Sequence, residues 1–160
     1  MSTLTTLERD TYEFWAEFAH HPGGARGAAG DAMWFRSGVP FVNYNGVVGS
    51  GCDVRDMVAR VRAWNVPARW IVSSASVDGM EAAFKECGMT LLDEAPGMAA
   101  RIADLPEPHS KELEVEVVTG DPLWQEWADV LRDAFGLSPE VAGFVGDAHK
   151  WPCLREKGRT

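Results

Sequence analysis

Cysteine is scarce in this chain: Cys52, Cys87 and Cys153 are the three present in 160 residues, widely spaced and with no C-x-x-C pair. An odd, scattered set excludes a disulfide framework and a cysteine-based zinc site and points to a reducing, cytoplasmic setting. Basic residues are short as well, with 15 Lys and Arg against 24 Asp and Glu, a net charge of −9 and a pI near 4.8. Nucleic-acid phosphates are held by clustered Lys and Arg, so no nucleic-acid partner is expected. No run approaches the roughly 20 apolar residues of a spanning helix, so no membrane partner is expected. Residues 1–14 contain Glu8, Arg9, Asp10 and Glu13 and lack the apolar stretch of a secretory signal. His20 and His21 have no further ligands at workable spacing, so no metal is expected.

What the chain does contain suits a globular protein. Its hydrophobic fraction of 46% is enough for a real core, and 160 residues suggest one ordinary domain or a domain with part of another. Thr5-x-x-Glu8 is a capping box, and Leu7, Phe14, Trp15 and Phe18 follow at helical spacing as one apolar face. Residues 23–30, rich in Gly and Ala, read as a flexible loop. Met33 to Arg36 and Phe41 to Val47 read as strands around the turn Ser37-Gly38-Val39-Pro40.

Asp53 is placed to cap a helix whose Val54, Met57, Val58, Val61 and Trp64 form its buried face, and Pro67 stops it. Arg69 to Ser73 reads as a strand. Ser76 then caps a helix over 77–87, with Met80, Phe84 and Cys87 inward and Gly88 as a left-handed stop. Met89 to Leu92 and Met98 to Ile102 read as further strands. Leu105 to Glu112, with two prolines and mixed charge, has the composition of a linker. Leu113 to Thr119 alternates as a half-exposed strand does. Asp121-Pro122 opens a helix with Trp124, Trp127, Leu131 and Phe135 as its stripe, and Ser138-Pro139 opens another, to about Ala148.

Two segments carry chemistry by their form. Residues 41–51 run as a strand into the glycine turn Gly46-x-x-Gly49-Ser50-Gly51, with a helix at once behind, and Met80 to Met89 is a helix closing on glycine before a strand. That order resembles the GNAT family of N-acetyltransferases. The resemblance implies a mixed α/β (α+β) fold, with a mostly antiparallel sheet flanked by helices. It also implies acetyl-CoA as cofactor and acyl transfer to an amine, on a small molecule or a peptide. In the family the glycine turn holds the coenzyme A pyrophosphate, which here falls on Gly46, Gly49, Ser50 and Gly51. Backbone amides at a helix start hold phosphate without side chains, and Arg55 is placed to add a charge-assisted contact.

The chain departs from the family at two positions. Phe84 stands where a tyrosine often supplies the general acid, and Gly46 stands where Arg or Gln precedes the glycines. Asp53 sets a carboxylate beside the proposed phosphate position, and a strand-to-helix turn calls for glycine on geometry alone. Phe84 and Cys87 read as core. Trp34 reads as core too, with the wall of a ligand cleft as its other reading, and no catalytic residue is assigned.

Two-domain members of the family pair a degenerate N-terminal copy with a working second one. By that likeness, residues 1–104 are expected to be a degenerate GNAT-like domain, 105–112 a linker, and 113–160 the start of a second domain, truncated. The expectation is an N-acetyltransferase-like protein that is catalytically incomplete as this chain. The rival is a non-enzymatic ligand-binding or dimerisation module on the same scaffold, with a homodimer as its form. A third reading is an active acetyltransferase with substitute catalytic groups.

Overall fold

The computed structural model describes residues 3–95 and 120–147, with side chains over 8–95 and 121–147. Helix α1 (Thr3–Ala16) runs into a 3-10 turn (Glu17–His20), followed by β1 (Ala25–Ala29) and β2 (Ala32–Arg36). A second 3-10 turn (Val42–Tyr44) leads into β3 (Asn45–Val48), then α2 (Val54–Arg62) and β4 (Arg69–Ile71). Short helices α3 (Ser74–Val77) and α4 (Glu81–Glu86) follow, and α5 (Gly120–Phe135) and α6 (Pro139–Gly146) come last among the described elements. The sheet runs β1-β2-β3-β4, antiparallel at its first two junctions and parallel between β3 and β4. The fold is therefore α+β with a mixed, mostly antiparallel sheet and helices on both faces.

Alternation along the strands divides the core in two. Phe35 and Val48 point one way and bury Ala16 and Ala19, with Tyr12, Trp15 and Ile71 packed around them. Ala32 and Val47 point the other way, onto Met57 of α2, with Trp34, Val61 and Trp70 beside it. Helix α2 behaves as its pattern demands: the Asp53 carboxylate accepts the Asp56 amide at 2.9 Å, and Val54, Met57 and Val58 are buried. Gly88 takes φ +67 directly after α4, the left-handed stop that its position predicts.

A third cluster joins the ends of the described chain. Val39 and Tyr44 pack with Val141, Phe144 and Val145 of α6, and Phe18, Phe41, Leu131 and Leu137 close around them. Phe144 lies 5.9 Å from Phe18 and 5.1 Å from Tyr44 between ring centroids. The helices expected to open a second copy thus share a core with the sheet segment. The expected linker 105–112 and the expected strands at 98–102 and 113–119 lie outside the described residues.

Several expectations need correction. Residues 25–29 are a strand, not a loop: β1 pairs along its length with β2, Ala25 opposite Arg36 and Ala29 opposite Ala32. Residues 42–44 form a 3-10 turn, because the carbonyl of Phe41 takes the Tyr44 amide at 3.0 Å and the strand starts only at Asn45. The helix expected over 77–87 is two, with Ser73 rather than Ser76 at the first N-terminus and Gly79 between them. Residues 89–92 are not a strand, and Leu91 is 77% exposed, since no described strand pairs with this stretch. Phe14 (61% exposed) and Phe135 (72%) lie off the buried stripes. Helix α1 turns its Tyr12–Trp15–Ala16–Ala19 side to the sheet instead, and α5 buries Ala128 and Leu131. Helix α5 also begins at Gly120, so Asp121 is inside it rather than its cap.

Candidate functional site

The glycine turn is where the resemblance places a cofactor. Gly46 belongs to the sheet: it sits opposite Arg69 in the parallel ladder, and a Cβ there would fall 2.5 Å from the Arg69 carbonyl oxygen. Its lack of a side chain lets β3 and β4 approach. Gly49 (φ +92) and Gly51 (φ +86) hold the left-handed turn, a conformation that costs other residues about 1–2 kcal/mol. Ser50 lies between them at intermediate exposure, and Asp53 begins α2.

Several groups around this turn are engaged. The Gly49 amide donates to the Ile71 carbonyl at 2.9 Å, and the Gly49 carbonyl accepts the Trp70 indole N–H at 2.8 Å. Asp31 reaches over Gly51, such that a Cβ on Gly51 would stand 3.2 Å from its Oδ2. Arg55 forms an ion pair with Glu86, whose hydrogen bond and charge raise the guanidinium pKa. Burial, then the Asp53 carboxylate, push the Cys52 thiol up, so it is protonated and weakly nucleophilic near neutrality. A diphosphate arriving here would meet the carboxylates of Asp31 and Asp53 and find both the Gly49 amide and Arg55 already bonded.

Phe84 is half-buried at the edge of the core. Its ring meets Trp70 edge-on with centroids 5.0 Å apart, beside the buried cluster Val54, Val58 and Met80. Cys87 packs against the same cluster and is a free thiol.

A different assembly lies on the α2 face of the sheet, toward β1. On that face β1 offers only Ala25, Gly27 and Ala29, opposite Arg36, Trp34 and Ala32 of β2. The Trp34 indole therefore packs on Gly27, where a Cβ would come within 2.8 Å of its ring. Trp64, just past the end of α2, returns to Trp34 at 5.8 Å and a 45° tilt, and the Arg60 guanidinium stands 5.5 Å from the Trp34 ring centre. Ala25, Trp34, Arg36, Arg60 and Trp64 line an open groove of about 390 Å³.

This groove has groups to spare. Arg36 donates from a terminal nitrogen to the Gly23 carbonyl at 3.2 Å, while its Nε, like the Trp34 Nε1, is buried without an acceptor among the described residues. A buried donor left unmatched costs roughly 1–3 kcal/mol. Neither Arg36 nor Arg60 pairs with a described carboxylate, in contrast with Arg55 on Glu86 and Arg132 on Asp129 and Asp133. The sequence hint was Trp34 itself, one of whose two readings was a cleft wall. Its partner Trp64 is far along the chain and belongs to the pattern of α2, so nothing local joined them.

One residue important to both regions gave no sequence signal. Asn45, fully buried at the start of β3, accepts at Oδ1 from the amides of Ser37 (3.0 Å) and Gly38 (3.2 Å). Its Nδ2 donates to the carbonyls of Val39 (2.8 Å), Phe41 (3.0 Å) and Pro67 (3.1 Å). It ties the β2–β3 connection to the segment that follows α2.

No family model, curated protein or solved structure matches this chain. Among the described residues, no group of three or more His, Cys, Asp or Glu is arranged to hold a metal ion, and no helix is long and apolar enough to cross a membrane.

Proposed function

We propose that this chain is a non-enzymatic ligand-binding module of the cytoplasm on a GNAT-like scaffold, and that it neither holds acetyl-CoA at its glycine turn nor transfers an acetyl group. The observation that carries the reading is the Gly49 amide bonded to Ile71 at 2.9 Å. It closes β3 onto β4 at the first amide of the turn and removes that donor from a phosphate cradle. Two further features support it. Phe84 has no proton to give a departing thiolate, and its ring is fixed against Trp70. The Cys52 thiol, raised by burial, supplies no substitute nucleophile.

General acid catalysis is worth ~10²–10⁴ in rate, and positioning of the reactants contributes more; a turn that cannot seat the cofactor forfeits both. The test is thiol release from acetyl-CoA by the purified chain with a panel of small amines and peptides. The expected result is release at the rate of the protein-free control, for the native chain and for Phe84→Tyr alike. Steady turnover that Gly49→Val abolishes overturns the reading and places a working cofactor site in the turn.

A further inference from the structure

We propose that the groove over Trp34 binds a small planar aromatic anion, an aryl carboxylate being the simplest member of the class; this rests on the ligand-binding reading above and names its site. Three features select that chemistry. The first is shape: Trp34 fills the space over Gly27, and beside it Ala25 adds little side-chain bulk to a groove of about 390 Å³, in the range that holds small organic ligands. The second is the pair of indoles, 5.8 Å apart and tilted by 45°. That spacing leaves no room for a third ring between them, so a flat ligand lies along the open edge, against the Trp64 face and the Arg60 guanidinium. Indole and guanidinium planes both stack on aromatic rings.

The third feature is charge. In a chain with a net charge of −9, the groove is lined by two arginines and no carboxylate. Three other basic side chains are neutralised locally, Arg55 by Glu86, Lys85 by Glu81 and Arg132 by Asp129 and Asp133, while Arg69, over the Trp15 ring, has no described carboxylate partner. Arg36 and Arg60 line the cavity with no described carboxylate beside them. A carboxylate at the Arg36 end supplies the missing counter-charge, while its ring takes the apolar edge. A neutral ring lacks the first contact and a saturated acid lacks the second.

The test uses the full chain labelled with ¹⁵N, whose seven tryptophans each give an indole N–H signal, titrated with 2-naphthoate. Trp34→Phe and Trp64→Phe assign the two groove signals. Those two are expected to shift in a saturable manner while the others stay in place. Arg36→Gln and Arg60→Gln should each weaken the effect about tenfold or more, the fold-change expected for losing a charge-assisted bond. Arg132→Gln, remote on α5, should leave it unchanged. The neutral 2-naphthamide and the saturated cyclohexanecarboxylate should each bind about tenfold more weakly or worse.

The proposal is overturned if the groove signals do not move up to ~10 mM 2-naphthoate, a ceiling set by the weakest affinity worth calling a site. It is equally overturned if all the indoles shift together, or if removing the arginine charges changes nothing. Should Arg36→Gln unfold the chain, Arg60→Gln on the exposed side of α2 carries the test. Failure here leaves the non-enzymatic reading standing, whereas acetyl-CoA turnover removes that reading whatever 2-naphthoate does.

Discussion

The turn at 49–53 and the groove over Trp34 are built from neighbouring strands of one sheet, and they differ in what their polar groups are doing. In the turn, the Gly49 amide and carbonyl are both bonded within the sheet, the Asp53 carboxylate holds the Asp56 amide, and Arg55 holds Glu86. In the groove, the Arg36 Nε and the Trp34 Nε1 have no described acceptor, and Arg60 rests on an indole with no counter-charge. The turn has the spacing of a binding motif and the bonding of a structural joint. The groove has no motif, and two buried side-chain donors beside it have no described acceptor. A glycine pattern specifies a backbone path, and only the hydrogen-bond inventory says whether that path has donors left for a ligand.

The largest effect that bears on this contrast belongs to Asn45, because both regions hang from β3. Asn45→Ala would strand the Gly38 amide and the Pro67 carbonyl, and would take one partner from the Ser37 amide and the Val39 and Phe41 carbonyls, which each keep a backbone bond. A loss of about 3 kcal/mol is expected from the two groups left unmatched and the network weakened around them, read as a lowered urea midpoint. Turn and groove should loosen together; an intact groove indole pattern in this variant would show that the two regions are not mechanically joined.

Gly46→Ala should separate the two regions. Its Cβ would press on the Arg69 carbonyl at 2.5 Å, so β3 and β4 must part, at a cost of about 1–3 kcal/mol. Amide exchange should quicken at Gly49, whose bond to Ile71 depends on that approach, while the Trp34 and Trp64 indole signals hold their positions. Movement of the groove signals instead would make the turn and the groove one unit.

Alkaline pH offers a milder test, directed at neither region. Burial raises the pKa of Tyr44 and of Tyr12. A phenol whose folded pKa lies above its unfolded value contributes stability that is complete below the unfolded pKa, near 10, and is lost as pH rises toward the folded value. Tyr44→Phe should match the native chain at neutral pH and lose less stability above about pH 10. Equal alkaline losses in the two proteins would assign the sensitivity to another group. The smallest stability change is expected for Arg60→Gln, within ~0.5 kcal/mol as for surface positions generally, even though it should weaken groove binding. A large loss would mean that Arg60 is there to hold the fold.

Much of the frame was legible in the sequence because local patterns decided it. The Asp53 cap and the buried face of α2, the left-handed stop at Gly88, the packing of a half-buried Phe84 on the Val54–Val58–Met80 cluster and the Ser138-Pro139 helix start each follow from a few adjacent residues. What escaped is non-local. Ala25-Arg26-Gly27-Ala28-Ala29 has no β-branched residue and reads as loop, yet it is a strand because β2 offers it a ladder and Trp34 needs a floor without side chains. Asn45 is a single polar residue whose acceptors and donors come from both sides of it, as far as Pro67. The groove joins Trp34 to Trp64 across β3 and α2, and nothing in either local pattern announces the other.

The cluster that draws α6 onto Phe18 and Tyr44 also has a consequence for synthesis. A ribosome delivers the sheet and its first helix long before it delivers Val141, Phe144 and Val145. Until then the aromatic rings of Trp15, Phe18, Phe41 and Tyr44 have chiefly one another for company. Closing a contact across almost the whole described chain is slow, since the intervening loop must be ordered before the contact rewards it. The nascent protein therefore passes through an interval with a sticky aromatic surface on view, and chaperone dependence and aggregation during expression should depend on how quickly the last helix arrives.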